Sequence, residues 1–120
     1  MEKSLQTAEE FLMEIGTVTE WAEKMGYDNP KKFSIHFREY FGQRPLKVLN
    51  TLRLIKAIEL LASTDQTVFE IGHYELNIGD EKRLYQFVKY HICYSPREIR
   101  DMNKREVSNL IEILGSKIRE

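Results

Sequence analysis

Two sets of side chains in this 120-residue chain are spaced to meet a polyanion. In the first, Lys31, Ile35 and Arg38 fall on one side of a helical stretch, flanked by Lys32 and Ser34. In the second, Lys82, Gln86 and Lys89 share one side of another stretch, with Arg83 and Tyr85 alongside. The placement follows from helix geometry at about 100° per residue. Phe33, Phe37, Tyr40 and Phe41 form the inner stripe of the first helix, so the cations face outward. Lys and Arg neutralise phosphates or donate to guanine O6 and N7. Gln86 suits adenine, and Ile35 suits a thymine methyl. Asn29 and the Asp80–Glu81 pair stand where these helices begin, and helix N-termini offer backbone amides to phosphate. The alternative for every such cation is a plain solvated face, and it weighs most for Lys32, Lys47, Lys56 and Lys104.

Other chemistries find little footing. The single cysteine, Cys93, excludes an internal disulfide and a Cys-rich zinc site. His36, His73 and His91 share no metal-ligand spacing, which points to packing or solvent. Gly26, Gly42, Gly72 and Gly79 are isolated turn or cap positions rather than a phosphate loop. No nucleophile sits beside a credible base. The expectation is a protein that is not an enzyme and needs no cofactor or metal.

Charge is patterned more strongly than its total suggests. The formal net charge is −1. By segment it runs −5 over 1–29, +6 over 30–56, −6 over 57–81, +5 over 82–105 and −1 over 106–120. If both basic blocks face one way, a nearly neutral chain carries one positive surface. A composition 42% hydrophobic and 31% charged is that of a globular domain. No apolar run approaches the roughly 18 residues of a spanning helix, and no signal-peptide pattern follows Met1. The expected compartment is the cytoplasm, with no membrane partner.

The elements that must hold those faces read as helices throughout. Leu5, Ala8, Phe11, Leu12 and Ile15 predict an amphipathic helix over 4–15. Thr17 and Glu20 form a capping-box pattern for a helix that stops at Gly26. Asn29-Pro30 opens the next helix, and Gly42 ends it. Pro45 opens a long helix burying Leu46, Leu49, Leu52, Ile55, Ala57, Ile58 and Leu61. The chain then repeats. Thr67 and Glu70 form a second capping box 50 residues after the first, while Leu84 and Val88 follow Phe33 and Phe37 by 51. Cys93 and Pro96 follow Gly42 and Pro45 by the same 51. The slip predicts one inserted residue in the second turn. Trp21, Phe33, Phe37 and Phe87 belong to the core. The expected fold is all-α: two helix–turn–helix units joined by one long helix, with extra helices at both ends. The divisions are 1–45, 46–62 for the linker helix, 63–103, and 104–120 for a C-terminal amphipathic helix.

Three stretches carry a family resemblance. Residues 25–38, from Met25-Gly26-Tyr27-Asp28-Asn29-Pro30 to Arg38, with Phe41-Gly42-Gln43-Arg44-Pro45, resemble the helix–turn–helix signature of AraC/XylS-type transcription regulators. Arg53-Leu54-Ile55-Lys56-Ala57 is similar to that family's linker-helix motif, and Ser95-Pro96-Arg97-Glu98-Ile99-Arg100 to its closing motif. The resemblance covers roughly residues 15–102. It implies homeodomain-like units whose two recognition helices enter adjacent major-groove segments of double-stranded DNA. It also places Arg53 and Arg100 in motifs, where they pair either with internal acids or with DNA. The second unit departs from the pattern: Gly72 stands for the usual Ala, Cys93 for the usual Gly, and Glu75-Leu76-Asn77-Ile78-Gly79-Asp80 displaces the turn glycine. Ile35 stands where family members often carry Arg.

Two functions follow as expectations. One is a sequence-specific DNA-binding transcription regulator, free-standing or the DNA-binding fragment of a longer protein, with RNA polymerase a candidate partner. The other is a helical protein-interaction module that kept the fold and lost DNA reading. The stripe Val107, Leu110, Ile111, Leu114 and Ile118 packs on its own domain or, less favoured, forms a homodimer through 107–118.

Overall fold

A computed structural model describes residues 1–119, with side chains through 118, so the Arg119 and Glu120 charges of the tail lie outside the described residues. The described residues are helical, in the order α1 (Ser4–Glu10), α2 (Val18–Lys24), α3 (Pro30–Phe41), α4 (Pro45–Ser63), α5 (Val68–Glu70) running into a π-helical turn (Ile71–Glu75), α6 (Glu81–Ile92), α7 (Pro96–Arg100) and α8 (Lys104–Arg119).

α4 is the spine. Its first half packs Val48, Leu49 and Leu52 against Trp21, Phe33 and Phe37. Its second half packs Leu54, Ala57, Ile58 and Leu61 against Ile71, Leu76, Leu84 and Val88. A helix enclosed on several sides carries no single apolar stripe. That is why Val48 and Leu54 are buried beyond the expected set. It is also why Leu46, expected inside, is 55% exposed: the first turn of α4 projects past the core. Phe87 is half-buried at the edge of the second cluster rather than inside it. The α8 stripe closes over both cores, with Leu114 in the second and Ile118 in the first.

The N-terminal helix is shorter than its pattern. α1 ends at Glu10, and residues 11–14 form turns, through Glu14 N–H and Ile15 N–H donating to Phe11 O. The turns bring Leu12 and Ile15 into the core and the carbonyls of Ile15 and Gly16 to Arg53, whose Nη2 donates to both at 2.8 and 2.9 Å. A continuing helix would have consumed those carbonyls.

The repeat is real, and its extra residue lies elsewhere than expected. In the first unit Tyr27 N–H donates to Ala22 O; in the second Ile78 N–H donates to Gly72 O, one residue farther. The left-handed position after the helix is Gly26 (φ 84°) in one unit and Asn77 (φ 54°) in the other. The insertion is therefore absorbed before the turn, in the π-helical segment Ile71–Glu75. A single wide turn is the usual way for a helix to hold one extra residue. Asn77 replaces the displaced glycine because its short polar side chain tolerates that backbone. The two caps also differ. Thr67 and Glu70 form the full reciprocal box. At Thr17 only half forms: Glu20 N–H donates to Thr17 Oγ1, while the Glu20 carboxylate takes the Thr17 hydroxyl rather than the backbone amide.

Candidate nucleic-acid interface

α3 and α6 are twelve-residue helices built alike. Each starts on a side-chain cap, Asn29 or Asp80, and ends on a left-handed residue, Gly42 or Cys93. Each turns two fully buried side chains inward, Phe33 and Phe37 or Leu84 and Val88. Trp21 meets both phenyl rings edge-on, at 5.4 and 5.0 Å between centroids, and this sets the rotation of α3. Tyr40, expected on the inner stripe, is 53% exposed: at the last turn of α3 its ring meets Phe41 edge-on, 4.8 Å between centroids, on the outer rim of the ring cluster.

The outer faces stand as the spacing predicts. Lys31, Lys32, Ile35 and Arg38 are exposed, Ser34 half-buried; Lys82, Arg83, Tyr85, Gln86 and Lys89 are all exposed. Ile35 at 57% exposure is an apolar side chain offered to solvent in the middle of a basic face. Each face borders a shallow groove, one between α3 and the start of α4 and the other between α5 and the start of α6. Beside α3 it is lined by Val18, Ser34, Ile35, Arg38, Arg44 and Leu46. Beside α6 it is lined by Phe69, Asp80, Glu81, Lys82, Tyr85 and Gln86. Arg44, Leu46 and Phe69 line these grooves beside the candidate faces, and periodicity missed them. Leu46 reads as core by its three-residue step to Leu49, and Phe69 reads as one more apolar residue in a capping turn. Only the register of α3 and α6 on their neighbours turns them to this side.

The start of α3 corrects one expectation. Its amides are already taken: Pro30 has none, Lys31 N–H donates to Asn29 Oδ1 at 3.0 Å, and Lys32 and Phe33 N–H donate to Asn29 O. Asn29 is thus a cap rather than an open phosphate seat, because a capping carbonyl fills the donor a phosphate would use. At α6 the Asp80 carboxylate accepts from Arg83 N–H at 2.8 Å, and Glu81 occupies the first turn. Carboxylates there satisfy the helix dipole themselves and oppose a second anion.

The remaining charges sort by structure. Lys89 sits 3.6 Å from Glu98 of α7. Both are about half exposed, so the pair is weak and exchangeable. Arg53 and Arg100 pair with neither acids nor the outer faces. Arg53 is buried on Ile15 and Gly16 carbonyls, and burial pushes its guanidinium below the usual range while Glu20 opposes the shift. Arg100 donates to the carbonyls of Leu61, Thr64 and Gln66, tying α7 to the end of α4. Backbone carbonyls at broken helix ends need donors, and a guanidinium fork reaches several at once. Of the histidines, His36 meets Tyr27 Oη at 3.1 Å, His73 stacks on Phe69, and His91 lies edge-on to Phe87.

Among the described residues no helix is long and apolar enough to cross a membrane. No family model matches the chain. In sequence, 63 residues are 40% identical to the HTH-type transcriptional activator RhaS of Enterobacter sp. (strain 638), a match covering 52% of this chain and 22% of that relative. The chain thus spans about a fifth of the length of the curated relatives it matches. In structure, the DNA-binding domain of AdpA, solved in complex with a target DNA, superposes with a TM-score of 0.67 at 25% identity, over 82% of this chain and 87% of that one. An AraC-type regulator from Chromobacterium violaceum gives 0.69 at 23% identity over the same shares. In motif order, local identity and paired helix–turn–helix fold, the chain is similar to the AraC/XylS-type helix–turn–helix DNA-binding domains.

Proposed function

We propose that the chain binds double-stranded DNA sequence-specifically as part of transcription regulation, with α3 and α6 entering adjacent major-groove segments. One observation carries this reading: two basic faces at equivalent positions of a repeated unit, each beside a shallow groove. Lys31, Lys32, Arg38, Lys82, Arg83 and Lys89 serve phosphates or guanine edges; Ile35 serves a thymine methyl, Gln86 an adenine; Ser34 and Asn29 border the contact. The working division is 1–45, 46–62, 63–103 and 104–120. The cytoplasm is the compartment this reading needs, and it assigns no catalytic step. RNA polymerase is the second partner to test. Burial of Leu114 and Ile118 favours a single copy per site over a homodimer through 107–118.

A titration into labelled duplex DNA at several salt concentrations tests the reading. Six cations on phosphates give a log–log slope of about −5, and α3 alone about half of that. Lys31→Ala with Arg38→Ala then weakens binding strongly. Absence of salt-dependent binding at low salt overturns the reading. It would move the assignment to a protein-interaction module, a role that the acids at the start of α6 and the Lys89–Glu98 pair favour.

A further inference from the structure

Three carboxylates, Glu9 and Glu59 from the two acidic blocks and Glu112 of α8, stand together away from the residues assigned to DNA. Between α1, α4 and α8 lies a cavity of about 550 Å³. Leu5, Ile55 and Ile111 are among its apolar walls, and Glu9, Glu59 and Glu112 line it against one cation, Lys56. A second cavity of about 400 Å³ shares Glu59 and Ile111 with the first and continues past Val107 and Met102, where it meets Lys104. The two make one elongated groove along α4 and α8. All three carboxylates are exposed, and among the described residues none of them is in an ion pair.

Gly115 lines the same groove from the interior of α8. Glycine weakens a helix interior relative to alanine, and close packing is the usual reason to find it there. That reason fails here: a Cβ added to Gly115 would meet nothing within 4 Å. The missing side chain instead leaves the groove open.

We infer that this groove docks a basic amphipathic helix of a partner protein, its apolar face on Ile55 and Ile111 and its Lys or Arg side chains against Glu9, Glu59 and Glu112. The elongated shape suits a helix laid in a groove. The three carboxylates select a cationic partner by charge complementarity and repel an acidic one. The groove uses none of the residues assigned to DNA, so the two partners bind together and the tests of the two readings are independent.

The test uses the full chain, isotope-labelled, titrated with a synthetic amphipathic Leu/Lys helical peptide and with a twin carrying Glu for every Lys. The Lys peptide is expected to move the amide resonances of Leu5, Ile55, Ile111 and Gly115 saturably, and the twin to bind at least about tenfold more weakly. Glu59→Gln with Glu112→Gln is expected to weaken the Lys peptide about fivefold. Gly115→Leu, which fills the groove, is expected to abolish the shifts while thermal unfolding shows a fold at least as stable. Both variants keep wild-type DNA affinity. Equal affinity for the two peptides, shifts confined to α3 and α6, or undiminished binding by the carboxamide variant overturns the inference.

Discussion

Replacing Arg53 by methionine separates the scaffold from the site. The side chain is 7% exposed, and its Nη2 donates to two carbonyls that nothing else in the α1–α2 connection is placed to satisfy. Hydrogen bonds from a charged donor contribute about 1.5–3 kcal/mol each, so the gross loss is about 3–6 kcal/mol. Two terms offset it. The guanidinium is held in a dry site that lowers its pKa, and its Nε has no hydrogen-bond partner, so removing it recovers desolvation. The Gly16 carbonyl is only partly buried and can turn to water, whereas the Ile15 carbonyl is enclosed and stays unpaired. The balance is a destabilisation of about 2–3 kcal/mol. For a chain of 120 residues that lowers the melting temperature by about 8–12 °C. Thermal unfolding followed by far-ultraviolet circular dichroism, and by fluorescence of Trp21 in the same core, reads the change. A methionine variant that melts within about 2 °C of wild type would refute the reasoning. DNA affinity measured well below the melting range is expected to hold, because Arg53 lies inside the scaffold and off both outer faces.

Cys93→Gly relieves a left-handed residue (φ 65°) with an exposed side chain and is expected to stabilise by about 1 kcal/mol, read by urea unfolding; Asn77→Gly (φ 54°) gains less, since asparagine tolerates that backbone. Glu98→Gln frees Lys89 and removes a negative charge beside α6, so DNA affinity at low salt is expected to rise about two- to fivefold; unchanged affinity would exclude Lys89 from the interface. The carboxyls of Glu70 and Glu98 are held below the ordinary range, chiefly by hydrogen bonds from the backbone N–H of Thr67 and Ser95. A depressed folded value means that their contribution is full above the unfolded carboxyl value, about 4.3, and is lost as pH falls through the folded value. Wild type is therefore expected to lose helicity in α5 and α7 on acidification over that window, and the Glu70→Gln, Glu98→Gln double variant to show a flatter profile by circular dichroism.

Much of the molecule is legible in one dimension because helix caps and periodicity are local. Asn29-Pro30, Gly42, the Thr67–Glu70 box and the 51-residue echo of Phe33 and Phe37 in Leu84 and Val88 fix where helices start, stop and repeat. The same periodicity places Lys31, Ile35, Arg38, Lys82, Gln86 and Lys89 outward, since burial of one stripe dictates the opposite one. The errors arise where several elements compete for one residue. α4 touches both units and α8, so no single stripe describes it, and the periodicity that points Leu46 inward fails because its turn overhangs the core. Tyr40 reaches the aromatic cluster only at its rim, against Phe41, and stays exposed.

Local patterning sets the helices and the two basic faces, because each depends on neighbours within about two helical turns, and the duplication shows as the same local pattern met twice. Long-range packing settles the rest. It put the inserted residue into a π turn, because the buried Ile71 and Leu76 both have to reach the core across it. It gave Arg53 and Arg100 to backbone carbonyls some 35 to 40 residues away rather than to acids. It turned Arg44 and Leu46 toward Ile35 and Arg38, and Phe69 toward Gln86, and it opened a groove between α1, α4 and α8. Those outcomes depend on which surfaces meet when the two cores close on α4, a long-range condition that no local pattern encodes.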